Sequence, residues 1–578
     1  MRILFLHPED SPRRGPWARE PWDLIVDLGQ SSEFSEREWN RQCRCRVLRA
    51  DVFRRGLGDA RQIRQILAVG RRRLVDEQGV DWWDLNLRLV PDLLTILPLA
   101  RIAAELGSAD AELWATREDW MIGALASLCH RSIQTFRNGT LARSTDRVRH
   151  YAGVFRRFSP SQLQQILLDK YDSTYRWRSR FASRPGPCRQ PVILLPSAYV
   201  NVSRMAAGYA QLLMEQPFLL IATRQSAKQF DPPGNMEVRD LAGYAGSPPP
   251  KSELAAVLDS WSELKADLCS CQEVRLLGEA GRLDLFPGWI QEGLFAREAW
   301  RAVLDREPVS GVLCGDDSNM ITRAPVILAA NRGIPTADFH HGAFDGRYLL
   351  KDLISATYLA KNEMEREYLV RVCGLSEERC TIAAPSSFRR DDSPGSGRND
   401  GSTIVFFSEP YELAAMRSEE VYREVLPPLG RLAAEKGKSL TIKLHPFESR
   451  SERTRVVHDV LESYDSRNVR VLDGPLTAEL LKEAWFGITV ESTSVLDCAQ
   501  NGVCCFLCAW LSHSPYQYIQ QYARFGVGAM LQGRAQIASI PELLVRFEPA
   551  PLTQPADPAL LKQLLTAAFS EQRSARLA

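Results

Sequence analysis

The stretch "PVILLPSAYVNVSRMAAGYAQLL", Pro191–Leu213, decides the fold: an apolar run of strand length, a polar turn, then apolar residues at helical spacing. Shortly after, "FLLIATR" (Phe218–Arg224) returns to strand, which closes a β-α-β unit and predicts a parallel sheet. The scheme repeats downstream in "VSGVLCGDD" before "SNMITRAPVILAANRG", and in "ISATYLA" before "KNEMEREYLVRVCG". It starts again after a polar linker, "PSSFRRDDSPGSGRNDG" (Pro385–Gly401), with "STIVFFSEP", "SLTIKLHP", "VRVLDG", "FGITVE" and "VCCFLCAW". Upstream, "RILFLHP", "WDLIVDLG" and "AELWATRE" give a further α/β region, separated by a helical segment at 159–181 and the Pro-rich break "ASRPGPCRQP".

The expected fold is α/β. Two Rossmann-like, doubly wound domains over 185–390 and 402–548 face a cleft, with an extra N-terminal α/β region over 1–160 and a helical tail over 549–578. At 578 residues the chain exceeds what one core usually serves, which agrees with several domains.

Composition removes several function classes. Lys plus Arg number 72 and Asp plus Glu 71, so no overall field points to nucleic acid. The 13 cysteines are odd in number and scattered, and neither a disulfide framework nor zinc-finger spacing emerges. The start, "MRILFLHPEDSP", reads as a first strand rather than a secretory signal. The most apolar long stretch, Leu89–Gly107, is interrupted by Asp92 and Arg101 and is too broken for a membrane span. These readings give a cytoplasmic protein, with peripheral contact at the inner membrane face left open. No dinucleotide fingerprint and no Walker loop is present.

Chemistry concentrates in three turns at strand ends. In "GITVESTSVLDCAQNG" (Gly487–Gly502) a strand runs into Glu491, Ser492, Thr493 and Ser494 before a helix. Hydroxyls beside free N–H groups at a helix start suit a phosphate, and equally suit plain capping. In "LTIKLHPFES" (Leu440–Ser449), alternation sends Leu440, Ile442 and Leu444 inward and Lys443 and His445 to the opposite face. His445 then stands at the sheet's mouth, where an imidazole can protonate a departing phosphate and Lys443 adds a point charge. The third turn, "IPTADFHHGAFDGRYL", ends a strand in His340 and His341 before Gly342, and "VLCGDDSNM" places Asp316 and Asp317 at a neighbouring strand end. Carboxylates there can act as or orient a base, or cap the following helix. His7, in "LHPED", repeats the His-Pro strand end without a partner Ser-Thr-Ser turn.

Taken together and in this order, the His-Gly, His-Pro and Ser-rich turns resemble those of GT-B-fold bacterial surface-polymer transferases: capsule polysaccharide glycosyltransferases, polysialyltransferases and CDP-glycerol glycerophosphotransferases. The resemblance spans roughly residues 190–548 and leaves the first 160 unmatched. It implies an inverting glycosyltransferase that needs no metal and no separate cofactor. Its partners would be a nucleotide-sugar donor, CMP- or CDP-linked, and a polysaccharide or lipid-linked glycan acceptor. By the resemblance, 185–390 is the acceptor side and 402–548 the donor side. Lys443, His445, Glu491, Ser492, Thr493 and Ser494 would hold the donor phosphate, and His341 would be a candidate base, with Asp316 and Asp317 as alternatives. The "GDDS" turn departs from the sialyltransferase acidic motif, which leaves the donor sugar open. Rival readings are a CDP-glycerol-type glycerophosphotransferase, a UDP-sugar 2-epimerase, whose Ser-Gly-Gly turn is replaced here by "ESTS", and a non-catalytic assembly protein.

Overall fold

The computed structural model describes the chain apart from residues 12–14, 30–32, 107–109, 137–181, 246–247, 341, 343–346, 384, 386–400, 415, 446–447, 462–467, 515, 517, 551, 553–556 and 567–578. The helical segment expected at 159–181 and most of the linker at 385–401 lie outside the described residues.

Among the described residues there are three sheets, and every strand pairing in them is parallel. The first has the order β3-β2-β1-β4-β5, from β1 (Arg2–Leu6), β2 (Leu24–Asp27), β3 (Arg46–Arg49), β4 (Glu112–Ala115) and β5 (Gln134–Thr135). The second comprises β6 (Val192–Ser197), β7 (Phe218–Ala222), β8 (Met236–Asp240), β9 (Val309–Cys314), β10 (Thr336–Phe339), β11 (Thr357–Ala360) and β12 (Cys380–Ile382), in the order β12-β11-β10-β9-β6-β7-β8. The third comprises β13 (Thr403–Phe407), β14 (Ser439–Lys443), β15 (Val469–Leu472), β16 (Ala484–Thr489), β17 (Cys505–Cys508) and β18 (Ala529–Leu531), in the order β15-β14-β13-β16-β17-β18. Each begins in the middle, winds outward to one edge, then returns past its first strand and winds to the other. That is the doubly wound Rossmann order, and it sets a switch point beside β1, β6 and β13.

Central strands are apolar without alternation because helices cover both faces; β6, β7 and β13 are buried along their whole length. Pro196 lies inside β6 without harm. Neighbour β9 pairs only as far as Leu194, so the missing N–H falls where β6 has no partner on that side.

Contacts divide the chain into two compact units: Met1–Ala60, Asp92–Ser159 and Arg390–Leu552, which hold the first and third sheets, and Arg61–Pro91, Pro160–Arg389 and Thr553–Ala578, which hold the second. The N-terminal region therefore contributes to both. Its excursion, Arg61–Pro91, is fixed to the second sheet's block by two buried arginines. Arg297 bonds Asp76 at 2.6 Å and Glu253 at 2.5 Å, and Arg323 bonds Asp84. Trp82 lies where a side chain at position 293 would stand, which explains Gly293; Trp83 stacks on Phe286 at 5.7 Å. From the far end of the chain, helix Pro558–Thr566 returns to the second sheet, and its Leu561 and Leu565 are fully buried in that core. No helix among the described residues is long and apolar enough to cross a membrane.

Candidate functional site

The third sheet's switch point is built by register. Phe407 pairs with Lys443 on one side and Thr489 on the other, so three strand ends finish in one row, about 4.8 Å apart. From this row the chain leaves as Ser408-Glu409, as Leu444-His445 and as Val490-Glu491. Leu440, Ile442 and Leu444 share one apolar core, and Thr441 on the other face meets the Thr403 hydroxyl at 3.0 Å.

Lys443 is buried, and its ammonium donates to the carbonyls of Leu444 (3.0 Å) and Gly474 (2.6 Å). Two of its three N–H groups are thus spent on carbonyls just past the carboxyl ends of β14 and β15. Burial lowers its pKa. His445 is half-buried, and burial, reinforced by the nearby Lys443 charge, drives its imidazole down to about 4. The ring is neutral at neutral pH. The turn after it is held by Glu448, a residue the motif reading did not single out. Its carboxylate accepts the His445 N–H (2.8 Å), the Ser408 hydroxyl (2.8 Å) and the Arg453 Nε–H (2.8 Å).

On the other side of β13, Glu409 accepts the Glu491 N–H at 2.7 Å and the Thr489 hydroxyl at 3.0 Å. Burial raises its pKa and His513 draws it back down. Glu491 in turn accepts the backbone N–H groups of His513 (2.8 Å) and Ser514 (3.1 Å) together with the Ser512 hydroxyl, which ties down the loop after β17. Glu491 is thus a loop anchor as well as a member of the expected phosphate turn. Ser492 and Ser494 hydroxyls lie 3.0 Å apart, and Ser492 Oγ accepts the Ser494 N–H at 3.3 Å. Thr493 precedes the helix Ser494–Gln500 and makes no side-chain capping bond. Capping is therefore done by Ser492, and Glu491 to Ser494 all stay half-buried at the strand mouth.

The second sheet's switch point treats its two aspartates differently. Asp317 is fully buried, forms an ion pair with Lys351 and approaches Arg323 Nη1 at 3.5 Å. Of the two aspartates read as alternative bases, Asp317 is thus the less open, its carboxylate held between two buried basic side chains. Asp316 is half-buried, and its backbone carbonyl accepts the Thr322 hydroxyl. The strand read through "TADFHH" stops at Phe339, one residue before the histidine pair. His340 packs edge-on against Tyr348 at 5.4 Å, whose hydroxyl donates to the buried Asp338 at 2.9 Å. His341 lies outside the described residues. In the first sheet, His7 donates from Nε2 to Asp119 (2.9 Å) and accepts the Glu9 N–H at Nδ1 (3.1 Å), so both ring nitrogens are engaged.

No family model and no curated protein matches the chain. Solved structures resemble it at low identity. One is a S. aureus MnaA–UDP complex, at 13% identity and a TM-score of 0.41, covering 65% of this chain and 96% of that one. Another is UDP-GlcNAc 2-epimerase from Neisseria meningitidis bound to UDP-GlcNAc, at 12% and 0.40, covering 65% and 99%. A third is a glycosyltransferase from Rickettsia africae, at 10% and 0.35, covering 68% and 97%. At such identities no residue role passes from those proteins to this chain.

Proposed function

We propose that the third sheet's block binds the phosphate of a nucleotide-activated sugar and that the protein transfers that sugar to a glycan acceptor. The observation that carries this is the single row Lys443, Phe407 and Thr489, from which His445, Glu409 and the Glu491–Ser494 turn emerge together at a Rossmann switch point. A phosphate there would meet an imidazole whose neutral state is enforced by burial and a neighbouring cation. Its negative charge would raise the imidazole's proton affinity and make His445 a donor to the leaving phosphate. Lys443 acts through its field, since most of its donors are already used. With imidazole, ammonium and turn N–H groups sharing the charge, the step needs no metal. The cytidine nucleotide, the surface-polymer acceptor and an acceptor base at Asp316 or His341 complete the reading.

Thermal-shift titration of the full chain with CMP, CDP and UDP tests it. A ligand at 100 times its Kd stabilises by about 2.7 kcal/mol. Stabilisation by at least one nucleotide, reduced in His445→Gln, is expected; no shift with any of them would favour the non-catalytic assembly reading.

A further inference from the structure

Within the second unit, two arginines come together beside the carboxyl ends of β6 and β7. Arg224, just past β7, lies over the ring of Tyr199, just past β6, with its guanidinium carbon 4.9 Å from the ring centroid. Arg88, from the excursion Arg61–Pro91, lies over Trp289 of helix Phe286–Arg306 at 4.7 Å. The two pairs are neighbours, since Tyr199 and Arg224 are both within electrostatic reach of Arg88. The pKa of Arg88 is lowered, first by burial of its charged group and then by the positive charge of Arg224, and no carboxylate enters the balance.

Neither guanidinium makes a hydrogen bond or an ion pair among the described residues. The acid on the adjoining strand end, Asp240, is already held by Lys228 at 2.8 Å and Gln225 at 3.0 Å. Other arginines of this unit are matched: Arg297 has Asp76, Glu253 and Glu298, and Arg239 has Glu237 and Glu307. Arg88 is exposed, and Arg224 is half-buried with its nitrogens open to solvent, so both can be reached from outside.

From this unmatched pair we propose that Arg88 and Arg224 bind a dianionic phosphate group, either terminal on a sugar or free. Charge and shape select that group. Two guanidinium groups carry two positive charges, and a phosphate monoester brings about −1.5 to −2 near neutral pH, with three terminal oxygens. Each planar fork takes two oxygens side by side, so phosphate can engage both arginines, whereas a carboxylate has one charge and two oxygens and satisfies one fork. Tyr199 and Trp289 hold the cations in place before the ligand arrives, which limits the side-chain entropy lost on binding. The site belongs to the second sheet's block and the His445 turn to the third's, so the proposal stands apart from the nucleotide reading.

The test is phosphorus NMR on the full chain with glucose 1-phosphate and with inorganic phosphate, and with D-glucuronate as a competitor. Saturable line broadening of at least one phosphate is expected, with glucuronate about tenfold weaker or more. Tighter glucose 1-phosphate makes a phosphorylated sugar the source, and equal affinities make the free phosphate group sufficient. Arg88→Met and Arg224→Met, which keep an apolar stem against each ring, should each weaken phosphate about tenfold or more. Because each removes one of two repelling charges, the melting temperature without phosphate should be no lower than the parent's. Nucleotide thermal shifts should be unchanged in both variants, and His445→Gln should leave glucose 1-phosphate affinity unchanged, which separates a failure here from a failure of the donor site. No saturable broadening, glucuronate competing as tightly as phosphate, or lower melting temperatures with phosphate affinity unaltered would each overturn the proposal. Loss of the nucleotide shift in these variants would overturn the separate assignment by placing the nucleotide's own phosphate on the two arginines.

Discussion

Arg417 closes on Asp27 with two charge-assisted hydrogen bonds, Nη2 to Oδ1 at 2.7 Å and Nη1 to Oδ2 at 3.0 Å. The arginine precedes helix Ser418–Lys436 of the third sheet's block, and the aspartate ends β2 of the first sheet. The same guanidinium reaches the carbonyls of His7 (3.1 Å) and Asp10 (2.9 Å), and Gly29 leaves it room: a Cβ there would lie 3.1 Å from Nη2. At the carboxyl ends of β1 and β2, where a Rossmann-ordered sheet ordinarily offers space to a ligand, this chain inserts its own side chain. The first sheet thus serves as a socket for the third.

Removing one partner should expose the cost of that burial. Arg417→Ala leaves Asp27, which is fully buried, without a counter-charge, and a broken buried pair costs about 3–5 kcal/mol. The double variant Arg417→Met/Asp27→Leu should recover part of the loss. Urea unfolding of the three proteins measures it, and a loss in Arg417→Ala below about 1 kcal/mol would mean the pair does not hold the two sheets together.

Gly311 makes a second packing prediction. A Cβ on it would meet the Leu565 carbonyl oxygen at 2.1 Å, closer than any relaxation of a flexible side chain could relieve, because the obstacle is backbone. Gly311→Ala should displace helix Pro558–Thr566 from β9, at about 1–3 kcal/mol for overpacking. Limited proteolysis would then cut that helix several-fold faster than in the parent chain. Equal protection would show that the close approach is dispensable.

What the sequence made legible follows from where signals are strong. Central strands such as β6 and β13 are long apolar runs, and the alternation of Leu440, Ile442 and Leu444 leads to one shared core. The strands that carry no readable signal, β3, β5, β8, β12 and β18, are all sheet edges, and each is either only two or three residues long or mixes in charged residues. His445 and the Glu491–Ser494 turn follow strand ends, as pattern reading expects. Their partners are not legible, because a partner is a tertiary fact: nothing local in "GDDS" reveals that Asp317 faces Lys351, and nothing in "KLHP" reveals that Lys443 spends its donors on carbonyls. Glu409 did carry a signal. An acid two residues past the first strand of a doubly wound block lies at the switch point by topology alone, in "FFSEP".

The lowered pKa of His445 gives a pH dependence. Its folded value, about 4, lies below the ordinary histidine value of about 6.5, so the unfolded chain takes up the proton first as pH falls. Stability from the neutral buried ring is full above pH about 6.5 and declines as pH drops toward about 4. His445→Gln should flatten this decline. In the parent chain, a bound nucleotide should move the imidazole titration upward, read from its ring-proton NMR signals. A titration midpoint unmoved by a nucleotide that binds would place the phosphate away from His445.

The last prediction concerns Glu409, which touches no reacting atom in the proposed chemistry and acts by position. Its carboxylate holds the Glu491 N–H and the Thr489 hydroxyl, and Glu491 then holds the loop carrying Ser512, His513 and Ser514. Loss of the carboxylate frees both the Glu491–Ser494 turn and, through it, the loop after β17. Glu409→Ala should therefore weaken nucleotide binding about tenfold or more, beyond the loss from Ser494→Ala, which removes one hydroxyl and leaves the Ser492 cap in place. Glu409→Gln keeps an acceptor for the Glu491 N–H and should restore most of the affinity. A purely structural role would lower the melting temperature of Glu409→Ala while leaving nucleotide affinity within about twofold of the parent. Calorimetric titration with the best nucleotide, set beside the melting temperatures of the same three variants, separates the two, because only a positioning role makes affinity follow the acceptor rather than the overall stability.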